Sequence, residues 1–264
     1  MLRKPDRHSD LNDIIKEIIG GGLAIKYNFH AISNIGTRTT NSDSFLCWPL
    51  RCADVDKPRT VEIRGVFEEQ PLACFAICDG VGDCDGAIAS SAVIDAIADA
   101  FREINNSLPL EVIAFQLADK GKRAIQQKGA KYTTTLIIAI LLGSQFLILN
   151  IGDSCCFKLH ASEKQELSFP HTLGNAKDIL GVCPNQHDSQ TLVEHLGSEA
   201  SVWEQAHLSK GTLSHNEKLL ICTDGFLATC KTKNESYFYS EFSANCFNDS
   251  SDNSTAIWIS ASDK

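Results

Sequence analysis

Three times in this chain a dense apolar run stops on an aspartate-bearing turn. Cys74-Phe75-Ala76-Ile77-Cys78 runs into Asp79-Gly80, Leu147-Ile148-Leu149-Asn150-Ile151 into Gly152-Asp153-Ser154, and Leu219-Leu220-Ile221-Cys222-Thr223 into Asp224-Gly225. A fourth acidic pair, Asp252-Asn253, comes just before the last apolar run. Short runs that are apolar throughout, without alternation, read as strands covered on both faces. Such strands need another sheet on one side and helices on the other. One Asp-Gly alone is ordinary turn chemistry, but several carboxylates gathered at the ends of buried strands lose solvation and repel one another. A shared site of that kind needs positive charge. Hard divalent cations answer the need, because carboxylates, backbone carbonyls and waters are the oxygen ligands that suit Mg²⁺ and Mn²⁺.

The rest of the pattern fits one domain. Residues 1–22 predict a helical extension: Leu11, Ile14, Ile15, Ile18 and Ile19 recur at helical spacing and Gly20-Gly21-Gly22 stops them. Strands are expected over Ile25–Ser33, Phe45–Trp48, Val61–Phe67 and Leu72–Cys78. Two helices follow, one with a stripe through Ile88, Ala92, Ala96, Ala100 and Ile104, the other starting near Pro109. Thr133–Leu142 and Phe146–Ile151 read as a hairpin about Gly143-Ser144-Gln145, with Cys155–Leu159 as a third strand. Ser201–Leu208, Lys218–Cys222 and Thr255–Ser260 complete the expected strands. No repeat or linker composition divides residues 23–264.

Composition narrows the function. The 264 residues carry a net charge of −9 and no long basic run, which argues against a nucleic-acid partner. The longest apolar run, Leu136–Leu142, falls short of the ~18–20 residues of a membrane helix, and the charged N-terminus lacks a signal-type apolar segment. No membrane partner is expected, and the cytoplasm follows as the expected location. The eleven cysteines are odd in number and lack any Cys-x-x-Cys pair. Cys74, Cys78, Cys155, Cys156 and Cys222 lie inside strand-like runs and read as buried free thiols rather than zinc ligands.

Six motifs occur in an order that resembles the protein phosphatase 2C (PPM-type) family from about Ile25 to Ser260. Gly36-Thr37-Arg38-Thr39-Thr40-Asn41-Ser42-Asp43 resembles its Gly-x-Arg-x-x-Asn-Glu-Asp, and Phe75 to Gly82 its strand-Asp-Gly turn. Thr133-Thr134-Thr135-Leu136 resembles Gly-Thr-Thr, Asn150 to Ser154 the Gly-Asp-Ser turn, Leu219 to Phe226 the Ser-Asp-Gly-Leu turn, and Ser251 to Thr255 the closing Asp-Asn-x-Thr. The resemblance implies an α+β fold, a four-layer α-β-β-α sandwich of two mostly antiparallel sheets flanked by helices. It implies a protein serine/threonine phosphatase acting through a bridging metal-bound hydroxide, with two Mn²⁺ or Mg²⁺ ions and a third in many bacterial members. Residue by residue, Asp79 and the Gly80 carbonyl, with Asp224 and Asp252, would hold the two metals, and Asp153 the third. Arg38 would bind phosphate, and Asp43 would stand behind the ligands and orient metal-bound water. The partners implied are phosphorylated proteins and a cognate Ser/Thr kinase.

The departures define a rival reading. Ser42 replaces the usual Glu, Val81 the histidine of many eukaryotic members, Cys155 a frequent arginine and Thr133 a glycine, while Asp83 stands where a second glycine is usual. Asp83 is expected to cap the next helix, and the stretch between Asp224 and Asp252 is short for the family. Ser42, Asp83 and the shortened segment would suit a pseudophosphatase, folded alike but used as a regulatory binding module. Cys84, close to Asp79, is the one thiol expected to matter for redox sensitivity. None of the eight histidines falls in a motif. His171, beside Pro170, is expected either on the loop region that borders the active site in the family or, the plainer expectation, as an ordinary surface histidine.

Overall fold

The computed structural model describes residues 26–68, 72–82, 84–185, 187–197, 199–233, 235–239 and 243–262. The expected N-terminal helix, residues 1–22, and Asp83 lie outside them. Twelve strands are described: β1 (Lys26–Asn34), β2 (Asp43–Cys47), β3 (Leu50–Cys52), β4 (Thr60–Phe67), β5 (Leu72–Asp79), β6 (Leu136–Leu142), β7 (Gln145–Ile151), β8 (Cys155–His160), β9 (Glu163–Glu166), β10 (His207–Thr212), β11 (Glu217–Cys222) and β12 (Ser254–Ser262). They form two six-stranded sheets, ordered β4-β1-β12-β11-β8-β9 and β10-β7-β6-β5-β2-β3. Every named strand pairing is antiparallel. The described helices are α1 (Cys84–Arg102), α2 (Leu110–Lys128), α3 (Leu173–Ile179), α4 (Val202–Gln205) and α5 (Asp224–Lys233), none of them long and apolar enough to cross a membrane.

The strands are apolar throughout because each face of β6 meets a different core. Ile137, Ala139 and Leu141 face the other sheet and pack with Phe29, Phe75, Leu219 and Ile257. Leu136, Ile138 and Ile140 face outward and pack with Val93, Ile97 and Leu117 of α1 and α2. The opposite sheet buries Leu220 and Trp258 on its outer face under Phe226 of α5 and Phe247 of a short 3₁₀ turn. This is the expected sandwich of two sheets between helical layers. Burial of a large apolar side chain stabilises by about 1.5–3 kcal/mol, so three such cores hold the strand ends rigidly in place.

Some expectations are corrected. Ser201–Leu208 is not a strand. Ser201 accepts from the Glu204 N–H while the Glu204 carboxylate accepts from the Ser201 N–H at 2.9 Å, a capping box that starts the helical turn α4. The strand there is β10, displaced toward the C-terminus. The expected Thr133–Leu142 strand begins only at Leu136, with Thr134 making isolated bridges to Gly80 and Leu196. Strand β9, with every residue exposed, gave no apolar signal in its Glu-Lys-Gln-Glu sequence. Helix α3 likewise went unread, and α5 was hidden because the Asp-Gly turn is also its first turn.

Candidate metal centre

The antiparallel order brings the acidic turns to one end of the sandwich. Asp43 opens β2 directly opposite Asp79, which closes β5. Strand β11 leads through Thr223 into Asp224, and Asp252 precedes its neighbour β12. Asp153 follows β7. Arg38, Asp79, Gly80, Asp153, Asp224 and Asp252 line one cleft of about 200 Å³, so the structure brings together all six residues expected at its wall. Asp43 lies behind that wall, completely buried.

Close backbone contacts fix the turns. The Asp79 N–H donates to Thr135 Oγ1 at 3.0 Å, and the Asp79 carbonyl accepts from the Thr135 N–H at 2.8 Å and Thr134 Oγ1 at 2.8 Å. The threonines at 134 and 135 therefore clamp the Asp79 peptide. A Cβ on Gly80 would stand 2.0 Å from the Gly86 carbonyl oxygen, so only glycine lets α1 start this close to the Asp79 turn. Asn253 ties two turns together. Its Oδ1 accepts from the Ser42 N–H at 2.7 Å, and its Nδ2 donates to the Ile35 and Thr40 carbonyls at 3.0 and 3.1 Å. Ser42, in the usual glutamate position, donates from Oγ to the Gly82 carbonyl at 3.1 Å and so joins the Arg38 turn to the Asp79 turn. Val81 is exposed at the cleft.

The electrostatics are those of crowded carboxylates that outweigh the positive charge near them. Burial pushes the Asp79 carboxyl well above the usual range, and repulsion from Asp43, Asp224, Asp153 and Asp252 adds to it. Asp43 is pushed up to about 7, first by burial and then by Asp224 and Asp252, while Thr255 and the charge of Lys57 act in the opposite direction. Asp153 is pushed up to about 7 by burial, Asp224 and Asp252. Asp224 is raised by burial and by Asp252, while Asp79, the Gly225 N–H and Arg38 act in the opposite direction. Arg38 supplies one cation: Nη2 donates to Asp252 Oδ2 at 2.9 Å and Nε to the Ser251 carbonyl at 3.1 Å. Both side chains of that pair are over two-fifths exposed, so it is worth at most about 1 kcal/mol. It cannot balance the buried carboxylates.

Divalent metal fits this donor set. Oδ1 of Asp43 is buried without a hydrogen-bond partner among the described residues, while Oδ2 accepts from Thr223 Oγ1 at 3.2 Å. The donors are all oxygens, the chemistry preferred by Mg²⁺ and Mn²⁺. Among the described residues no three His, Cys, Asp or Glu side chains stand close enough to form a ready-made cage. The carboxylates converge on the cleft, and closing on an ion requires them to draw together.

Of the two expectations for His171, the structure favours the loop beside the site over the ordinary surface position: its ring is partly buried and its Nδ1 accepts from the Gly152 N–H at 3.1 Å, next to Asp153. Burial lowers its pKa, Glu194 acts in the opposite direction, and His207 adds to the lowering. The resemblance placed it near the site, but its hydrogen-bond partner has no spacing signal, since 19 residues separate the two. The free-thiol reading stands, since all eleven cysteines are unbridged and the five expected inside strands are buried.

Comparison with known proteins agrees with the geometry. The sequence profile of the family described as protein phosphatase 2C matches residues 64–260. A serine/threonine phosphatase stp from Listeria innocua is 28% identical over 180 residues, spanning 61% of this chain and 69% of that protein. Among solved structures, the serine/threonine phosphatase of S. agalactiae superposes with a TM-score of 0.71 at 15% identity, covering 89% of this chain and 99% of that one. The catalytic domain of the serine/threonine protein phosphatase PstP, in complex with two manganese ions, gives 0.65 at 19% identity over 90% and 100% of the two chains. With a family profile spanning about three quarters of its length and a fold shared with those structures, this chain belongs to the protein phosphatase 2C family.

Proposed function

We propose that this protein hydrolyses phosphoserine and phosphothreonine on proteins, using two Mn²⁺ or Mg²⁺ ions, with Asp153 contributing to a third. The observation that carries the reading is the convergence of Asp79, Asp153, Asp224 and Asp252 on one cleft beside Arg38. Burial and repulsion between carboxylates raise the pKa of Asp79, Asp153 and Asp224 there. Asp79, the Gly80 carbonyl, Asp224 and Asp252 would hold the two ions, which when bound supply Lewis acidity toward phosphate and toward water. This chain's own groups do the rest. Arg38 presents a forked guanidinium at the cleft mouth, a geometry that fits phosphate oxygens better than an ammonium would. To do so it exchanges Asp252 for the phosphoryl group. Asp43, buried behind the cleft wall opposite Asp79, would stand behind the ligands and help to orient water in the cleft. Cysteine plays no part in the chemistry, since burial pushes the Cys78, Cys155 and Cys222 thiols up and leaves them poor nucleophiles.

Phosphoprotein substrates imply a Ser/Thr kinase that makes them, and eleven unbridged thiols suit a reducing compartment such as the cytoplasm. Deleting that kinase should remove the phosphosites that accumulate when this phosphatase is absent. A second reading, the pseudophosphatase, has one observation in its favour: the Arg38 guanidinium is engaged with Asp252. The deciding experiment is hydrolysis of p-nitrophenyl phosphate and a phosphothreonine peptide with Mn²⁺, Mg²⁺ or EDTA, alongside Asp79→Ala and Asp224→Ala. Metal-dependent turnover lost in both variants supports the enzyme. A folded, metal-loaded protein without turnover sinks it in favour of the binding module.

A further inference from the structure

The turn carrying Asp153 is held from one side by a single residue. Gly152 has φ +107 and is buried against Thr135. Its N–H donates to His171 Nδ1 at 3.1 Å, and its carbonyl accepts from the His171 N–H at 2.9 Å and from Asn150 Nδ2 at 3.1 Å. Asn150 Nδ2 also reaches the Phe169 carbonyl at 3.2 Å, so residues 150–152 and 169–171 are fastened along their length. Beyond His171 the fastening continues to the cleft wall. The His171 carbonyl accepts from the Val193 N–H at 2.9 Å, and Val193 follows Leu192, which lines the cleft with Asp153.

We infer that His171 is a positioning residue that sets the direction of the Asp153 carboxylate and couples it to the wall segment around Leu192. This rests on the reading of Asp153 as a ligand to a divalent cation. The physical reason lies in the buried Gly152 N–H. Without the Nδ1 acceptor it becomes an unsatisfied buried donor, which is costly to leave in place. A glycine turn relieves that cost cheaply by rotating its peptide, because φ and ψ are soft there. Rotation of that peptide swings the next residue, Asp153. Accepting at Nδ1 also places the ring proton on Nε2, which fixes the tautomer.

The test is Mn²⁺ binding followed by the electron paramagnetic resonance signal of the free ion, on the full chain, with thermal unfolding as the folding control. His171→Leu removes the acceptor and keeps an apolar bulk. It should weaken one class of Mn²⁺ site about 10-fold, the lower range for groups that support a metal ligand, and leave the others unchanged. It should have no further effect in an Asp153→Ala background. His171→Asn, whose Oδ1 overlays Nδ1, should restore binding to within about 3-fold, while His171→Gln, whose Oε1 overlays Nε2, should not; this pair carries the test if the leucine variant fails to fold. A site lost in Asp153→Ala yet kept in folded His171→Leu, or equal binding by the Asn and Gln variants, overturns the inference alone. Unchanged Mn²⁺ binding in Asp153→Ala overturns the cation role of Asp153 and the inference with it.

Discussion

Replacing Asp153 with asparagine should stabilise the metal-free protein, and the size of the effect follows from its surroundings. Burial, Asp224 and Asp252 carry the Asp153 carboxyl from 3.8 to about 7. The folded state therefore keeps a proton that the unfolded chain releases, and unfolding gives it up anywhere between those two values. Where the unfolded state binds fewer protons, stability falls as pH rises. This group's contribution is thus greatest below pH 4 and declines by up to about 1.4 kcal/mol per pH unit until the folded carboxyl ionises near 7. The full span corresponds to about 4 kcal/mol. Water drawn into the open cleft screens the charges, and an effective dielectric near 20 reduces the realised figure to about 2 kcal/mol. Asparagine keeps the shape and removes the titration. In EDTA, wild type and Asp153→Asn should melt together at pH 4.5 and diverge as pH rises, the variant melting about 4–8 °C higher at pH 7.5 at 2–4 °C per kcal/mol. Taking the difference between the two proteins cancels His171 and His207, whose lowered pKa values give the opposite slope below about 6.5. Mn²⁺ should then reverse the order, raising the wild type more than the variant. Melting curves that stay parallel from pH 4.5 to 7.5 would refute the account of carboxylates held together against their own repulsion.

Two further outcomes test the frame around the site. In Gly225→Ala the new Cβ would lie 2.0 Å from the Asn253 carbonyl oxygen, a backbone atom that cannot step aside. The substitution should destabilise by about 2–3 kcal/mol, within the range for overpacking, and should weaken Mn²⁺ binding by parting Asp224 from Asp252; calorimetry and a metal titration read the two effects, and a variant equal to wild type in both would contradict the close approach. Brief alkylation of the native protein, read by peptide mass spectrometry, should label the exposed Cys84 and Cys183 first and leave Cys74, Cys78, Cys155, Cys156 and Cys222 unmodified until unfolding. Early labelling of Cys222 would place the outer face of its sheet in contact with solvent, against the packing described.

The amino-acid sequence by itself determined the strands whose both faces are buried, the two long helices and the aspartates of the site, because those features are local. An apolar run over Leu136–Leu142 is a strand in any context that covers it, and an acidic turn at a strand end is legible wherever the run stops. The edge strand Glu163–Glu166, with no buried residue, carried no such mark, and the start of β10 was masked by a capping box whose Ser201 and Glu204 read equally well as strand residues. Tertiary structure alone decided what the carboxylates do to one another. Asp43 and Asp79 are 36 residues apart in sequence and become neighbours only through the β2–β5 register. Their raised pKa values come from burial and from repulsion across strands, which vary with distance and dielectric and have no sequence period. The same holds for His171, an unremarkable histidine in the sequence that becomes the acceptor for the Gly152 N–H because the chain returns to that turn 19 residues later. Hydrogen bonds between distant segments are chosen by the packing of the layers, and only the folded chain contains that information.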